Sequence, residues 1–222
     1  MNNETAMLVT AYFGGEFPDI KKRMTKTLCS RLKDLGFFVC LVSHSPVPED
    51  IQELCDIFIY DKDNTYKIND IPKDSPSNHG VAELKSIYDG LNVLNRFNFK
   101  SIFKLAYDTN PDIDFIRILT KCKTLNKKII TALWFKNENT LGTTFFYADI
   151  EFFYKSFPIE DVYRFTINFE GAWYFALQDR NLLDQIYRYF TYEDFVETSP
   201  IEYCHGAGAT FNTSYPFDPL IG

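Results

Sequence analysis

From Ala6 to Phe135 the sequence alternates short apolar runs with longer amphipathic stretches, and few architectures accommodate that order. Ala6 to Phe13 is a strand-like run closed by Gly14-Gly15. Pro18 can open a helix, because its missing N–H is one that a first turn leaves unpaired anyway. Ile20, Met24, Leu28, Leu32 and Leu35 then recur at helical spacing, and Gly36 ends the pattern. Phe37 to Val42 predicts a second strand, Glu49 to Cys55 a short helix and Ile57 to Tyr60 a third strand. Val81 to Phe97 carries an inner stripe of Leu84, Ile87, Tyr88, Leu91, Leu94 and Phe97, followed by a strand over Ser101 to Tyr107. Ile113 to Cys122 predicts a helix and Lys128 to Phe135 a strand. Strands alternating with helices imply an α/β fold with a mostly parallel central sheet flanked by helices. In such sheets ligands bind outside the carboxyl ends of the strands, which selects the neighbourhoods of Tyr12, Ser43, Asp61 and Asp108.

The rest of the chain is less regular. Thr143 to Ala148 predicts a strand; Asp149 to Ser156, Asn168 to Gln178 and Leu182 to Phe190 predict helices. The polar stretch Asp61 to Asn78, with Pro72 and Pro76, is long for a loop inside a domain. It is either a surface loop or a flap beside a site. The tail from Thr198 to Gly222 carries Tyr203, Phe211, Tyr215 and Phe217, rings that suggest packing onto the domain. No repeat or linker divides the chain, so residues 1–222 are expected to form one domain, with residues 1–135 as a nucleotide-binding half and 136–222 as an acceptor side and tail.

Charge narrows the partners. The net charge is −7, and the one basic run, Lys21-Lys22-Arg23, is too short to neutralise a phosphate track, so no nucleic acid partner is expected. The longest apolar run, Phe37 to Val42, is far short of the ~20 residues of a membrane helix, and the polar start lacks the pattern of a signal peptide. The five cysteines are scattered without CxxC spacing, which suggests reduced thiols and a cytoplasmic protein. GxSxG, GxGxxG and GxxxxGK[ST] strings are absent, which counts against α/β-hydrolases, classical dehydrogenases and P-loop ATPases.

The order His79-Gly80, a helix, a strand, and then Lys104-Leu105-Ala106-Tyr107-Asp108-Thr109 resembles the GT-A class of glycosyltransferases. There a helix precedes a buried strand ending in a DxD motif, whose carboxylates hold a divalent metal against the diphosphate of a nucleotide sugar. The stretch from Ser43-His44-Ser45-Pro46 to Ile59-Tyr60-Asp61-Lys62-Asp63-Asn64 is similar to small bacterial and viral family 2-like glycosyltransferases. The motif here is degenerate, because Ala106 stands at the first acidic position and Asp108 at the last. The alternative for Asp108 is that it simply opens the turn before Asn110-Pro111.

The resemblance implies a glycosyltransferase moving a sugar from a UDP-, GDP- or CMP-linked donor to a glycan or other hydroxyl acceptor, with Mn²⁺ or Mg²⁺. It implies that Thr10, Ala11, Tyr12 and Phe13 contact the nucleoside, with Ser43, His44 and Asp61 beside them. It further places His79, Lys104 and Asp108 towards the diphosphate, with Asp108 a metal ligand that Asp112 or His205 could supplement. Inversion needs a carboxylate to take the acceptor proton; Glu170 is the first choice and Asp149 the second. Trp173 could stack on a sugar, though a helical Trp is more often core. Two rivals remain: a non-catalytic GT-A-like protein binding a nucleotide or glycan, and a nucleotidyltransferase, which should carry a basic loop where this chain has Gly14-Gly15-Glu16-Phe17.

Overall fold

The computed structural model describes residues 4–13, 18–62, 76–109, 111–112, 114–132, 141–143, 145–158 and 169–190. Seven strands make one sheet: β1 (Thr5–Ala11), β2 (Val39–Ser43), β3 (Ile57–Tyr60), β4 (Ser101–Ala106), β5 (Ile129–Ala132), β6 (Phe145–Asp149) and β7 (Ile186–Phe190). They lie in the order β3-β2-β1-β4-β6-β5-β7. Only β6 runs against its neighbours, β4 and β5; the other pairings are parallel. This is the α/β class, with a mostly parallel sheet, that the alternation predicts.

The strands of a sheet covered on both faces must be apolar on both faces. Strands β1, β2 and β4 are accordingly buried throughout. Side chains alternate across the sheet. Met7, Val9, Phe103 and Leu105 pack with Leu28, Cys29 and Leu32 of α1 (Pro18–Asp34) and with Phe115, Ile118 and Cys122 of α4 (Phe115–Thr124). Ala6, Leu8, Val42 and Ile102 pack on the opposite face with Leu84, Ile87 and Leu91 of α3 (Pro76–Arg96). That face also takes α5 (Ile150–Ser156) and α6 (Phe169–Asp179). Trp173 is fully buried there, 4.8 Å from the Phe146 ring and 5.5 Å from Phe153, so it is a core residue and unavailable to a sugar. The short α2 (Glu49–Gln52) leads into β3. The four cysteines among the described residues are unbonded thiols; burial pushes those of Cys40 and Cys122 up to about 12, as inert core residues. Among the described residues no helix is long and apolar enough to cross a membrane.

Three sequence expectations need correction. Leu182 to Phe190 is not a helix: Asn181, at φ 55°, ends the preceding turn, Leu183–Gln185 forms a single 3₁₀ turn, and Ile186–Phe190 becomes β7. Parallel pairing with β5 overrides the helical pattern, and a run of Ile, Tyr and Phe suits a strand. Helix α3 begins at Pro76, not Val81, so His79 and Gly80 lie inside it and the long polar stretch is correspondingly shorter. The helix expected over Glu49 to Cys55 is one turn, Glu49–Gln52.

Helix α3 lies close on the sheet at Gly90, where an added Cβ would stand 2.4 Å from Leu8 Cδ1 and 3.3 Å from Val42 Cγ2. Alanine favours a helix over glycine by about 1 kcal/mol, but overpacking a tight core costs about 1–3 kcal/mol. Gly90→Ala is expected to lower the unfolding midpoint in urea; an unchanged or raised midpoint would show that the α3–β1 contact has slack.

Candidate functional site

The chain leaves β1 for β2 on one side and leaves β4 for β5 on the other, although β1 and β4 are neighbours. Loops diverging from adjacent C-terminal ends open a crevice, the usual ligand position in an open α/β sheet. Residues past β1 and β4 form its rims. The two strands stay paired to their ends: Thr10 lies opposite Ala106, and Tyr107 N–H donates to Thr10 O at 3.0 Å.

One rim carries Tyr12, Phe13 and the turn after β2. Ser43 Oγ donates to Ser45 O at 2.9 Å and accepts from Ser45 N–H at 3.1 Å, while Phe13 N–H donates to Ser45 Oγ at 3.2 Å. These bonds tie the two strand ends and set His44 against Tyr12, with ring centroids 4.6 Å apart and planes 19° apart. Tyr12 is 39% exposed and His44 partly buried, so the stacked pair forms a small aromatic platform beside the crevice. Thr10, Ala11 and Ser43 are themselves buried in the strands.

Asp108 forms the other rim. Thr109 turns the chain sharply, its N–H and hydroxyl both donating to Ala106 O, at 3.0 and 2.8 Å. Asp108, 7% exposed, is held at that corner. Burial pushes its carboxyl up to about 7; a backbone N–H bond and the positive charges of Lys104 and Lys21 oppose the shift, and Glu83 adds to it.

Lys104 lies on the α3 side of β4 and is fully buried. A buried ammonium needs partners. Its Nζ donates to a Glu83 carboxylate oxygen from α3 and to Thr143 O at 2.7 Å, so it ties α3 and the approach to β6 onto β4. Sequence reading missed Glu83, although its spacing of four from Ile87 puts it on the inner stripe. It also missed the inward turn of Lys21, three and four residues before the buried Met24 and Thr25.

Other predicted residues are placed elsewhere. Asp61 sits at the same edge, but β2 separates its strand from β1; it pairs with Lys85, which also reaches Asp89 at 2.8 Å. Burial alone would depress the Lys85 ammonium pKa, yet the two carboxylates hold it above the ordinary lysine value. Asp149 is not brought to Asp108. Because β6 is antiparallel, Asp149 lies opposite Ser101 at the far end of β4, where it caps α5 through Phe152 N–H at 2.8 Å and pairs with Lys128 at 3.1 Å. Glu170 is in the first turn of α6, but its side chain, like that of His79, lies outside the described residues, as does all of His205. Asp112 is exposed in the turn after Pro111.

Among the described residues no three His, Cys, Asp or Glu side chains gather as a metal cage. A hard divalent cation can nevertheless be held by one carboxylate when phosphate oxygens and water complete its shell. Asp108, a buried carboxyl at the crevice, fits that single-ligand role. A groove of about 590 Å³ lined by Phe37, Phe38, Phe97 and Ile116 opens at the opposite edge, by the N-terminal ends of the strands. Open sheets do not place ligands there.

No protein-family model matches this sequence, and no curated protein matches it. Solved structures do. A Desulfovibrio desulfuricans protein described as a nucleotide-diphospho-sugar transferase aligns at 11% identity and a TM-score of 0.47, covering 83% of this chain and 79% of its own. The 4-diphosphocytidyl-2C-methyl-D-erythritol synthase of Anaerococcus prevotii aligns at 13% and 0.49, covering 87% and 94%. A mannosyltransferase of S. cerevisiae aligns at 10% and 0.42, covering 78% and 62%. Likenesses at these identities and scores assign this chain no activity.

The buried Asp108 predicts a pH effect on stability. Its folded pKa of about 7 exceeds the ~3.9 of an unfolded aspartate. Its contribution to stability is therefore complete below pH ~4 and is lost as pH rises through 7. Asp108→Asn, which cannot ionise, should be more stable than the unsubstituted protein by about 2–4 kcal/mol at pH 8 and by about 1 kcal/mol or less at pH 4.5. Urea unfolding at both values measures this, and an equal effect at both would refute the burial cost assigned to Asp108.

Proposed function

We propose that this chain is a glycosyltransferase that holds a nucleotide-sugar donor across the crevice between β1 and β4. The observation that carries the reading is the buried Asp108 at the end of β4, with the stacked rings of exposed Tyr12 and partly buried His44 at the ends of β1 and β2. An aromatic face suits a nucleobase, since stacking accepts any base. Asp108, with Lys104 and Lys21 near it, stands where a diphosphate would follow. Thr10, Ala11 and Phe13 shape the wall behind the nucleoside.

In the reaction the acceptor oxygen bonds to the anomeric carbon as the bond from that carbon to the phosphate oxygen breaks. The nucleotide leaves with the electron pair, and a carboxylate takes the acceptor proton. Glu170 in the first turn of α6 is the residue we assign to that proton, since Asp149 stands at the other end of the sheet. Mn²⁺ or Mg²⁺ bound by Asp108 would stabilise the charge on the departing phosphate. Ala106 favours a second reading, a nucleotide- or glycan-binding protein without turnover, because it removes the partner carboxylate of the motif.

Thermal shift with UDP, GDP and CMP, each with and without Mn²⁺, should show stabilisation by one nucleotide that Mn²⁺ increases. Asp108→Ala should lose that response while keeping the fold. Release of free nucleotide from its sugar conjugate separates the enzyme from the binder, and no response to any nucleotide would overturn the transferase reading.

A further inference from the structure

The groove of about 590 Å³ at the edge away from the crevice is built from the chain between α1 and β2, the chain between α3 and β4, and one face of α4. Its wall is aromatic. Phe38 stands 4.7 Å from Phe99 and 6.2 Å from Phe97, ring centre to ring centre, so the three rings form one continuous surface. Phe97 is 59% exposed and Ile116 of α4 is 46% exposed, the highest values for large apolar side chains among the described residues. Such side chains exposed singly are ordinary. Two of them on one groove, continuous with further rings, mark a surface that takes a partner.

Most polar side chains of the groove are already engaged within the protein. Thr5 Oγ1 shares a hydrogen bond with Ser101 Oγ at 2.7 Å, and Thr120 Oγ1 donates to Ile116 O at 2.8 Å. Lys33 Nζ pairs with Asp56 at 2.6 Å, and the other Asp56 oxygen accepts from Val39 N–H at 2.8 Å. Lys123 differs: it lines the groove, and among the described residues its ammonium has no partner. It lies seven residues after Ile116, on the same face of α4. The lining therefore carries two ammonium groups against one carboxylate, in a chain whose net charge is −7. An apolar wall with one uncompensated cation is complementary to an apolar body that bears one negative charge.

We infer that this groove binds a small amphipathic carboxylate, with its apolar body against Phe38, Phe97 and Ile116 and its acid group on Lys123. The volume lies within the range of small-molecule sites, about 300–1,000 Å³, and such sites pair apolar and aromatic walls with a few placed polar groups. A lysine ammonium is a compact point charge that a carboxylate can meet from several directions. The reacting substrate of an open sheet belongs at the other edge. The occupant of the groove is therefore a second ligand, and its binding does not depend on the nucleotide-sugar reading.

Titration calorimetry tests this with decanoate, decanol and decyltrimethylammonium, each below its micelle-forming concentration. The proteins are the unsubstituted chain and Phe97→Ser, Lys123→Gln, Tyr60→Ser and Arg23→Gln. All four positions are exposed, so each change should leave the fold intact. Decanoate should bind once per chain and about tenfold more tightly than decanol, with the cation weaker still. Phe97→Ser and Lys123→Gln should each weaken decanoate about fivefold or more, and Lys123→Gln should remove most of its advantage over decanol. Tyr60→Ser and Arg23→Gln, which remove an exposed ring and an exposed cation outside the groove, should change it less than about twofold. No saturable binding, equal affinity for the three head groups, or an equal loss in Tyr60→Ser would overturn the inference. Two other results would also overturn it, each without decanoate binding. A dimer in sedimentation velocity that Phe97→Ser dissociates would assign the groove to a second copy of the chain. Binding to anionic phospholipid vesicles that Phe97→Ser abolishes would assign it to a membrane surface.

Discussion

Strand β1 is hydrogen-bonded on both sides, to β2 through Met7–Ala11 and to β4 through Thr5–Thr10, and the other elements take their places from that double pairing. A strand so enclosed must be apolar on both faces, which calls for helices above and below it. Helices α1 and α4 cover one face and α3 the other, with Gly90 letting α3 come down onto Leu8. Because β2 and β4 flank β1, the loops leaving β1 and β4 part in opposite directions. The crevice is thus a consequence of strand order. It requires no special loop.

Electrostatics then gives the crevice its character. A lysine in the middle of a buried strand would be costly alone, and Lys104 is tolerated because Glu83 and the Thr143 carbonyl receive it. That neutralised pair stands near Asp108 without fully compensating its charge, so burial dominates and the carboxyl keeps its proton to near neutral pH. The Tyr12–His44 stack adds an aromatic face, exposed at Tyr12, to the same edge.

Much of the fold could be read from the chain because β1, β2 and β4 are continuous apolar runs and α1 and α3 carry clear stripes. The last strand could not. Leu182 to Phe190 has an apolar spacing compatible with either state, and only the free edge of β5 decides that Ile186–Phe190 is extended. The candidate site was legible in part for the same reason: Ser43 ends a buried strand, Tyr12 and Asp108 follow two others, and all three fall at one edge. Asp149 was misplaced because nothing local indicates that β6 runs antiparallel and carries its last residue to the opposite edge. Lys21 was overlooked because a run of three basic residues looks like a solvated face, although its spacing to Met24 and Thr25 marks it as inward.

By itself the sequence determined the alternation of strands and helices, the apolar identity of the central strands, and the position of Asp108 at the end of one of them. These follow from local periodicity, which is a property of neighbouring residues. Tertiary structure alone decided which strands are adjacent, the direction of β6, the stacking of Tyr12 on His44, and the charges of Lys104, Glu83 and Lys21 that act on Asp108. Those are relations between residues distant in the chain, set by hydrogen-bonded register and by packing across the sheet. Asp108 is a candidate from its sequence position, and its raised pKa follows from the burial and charges that the fold assembles around it.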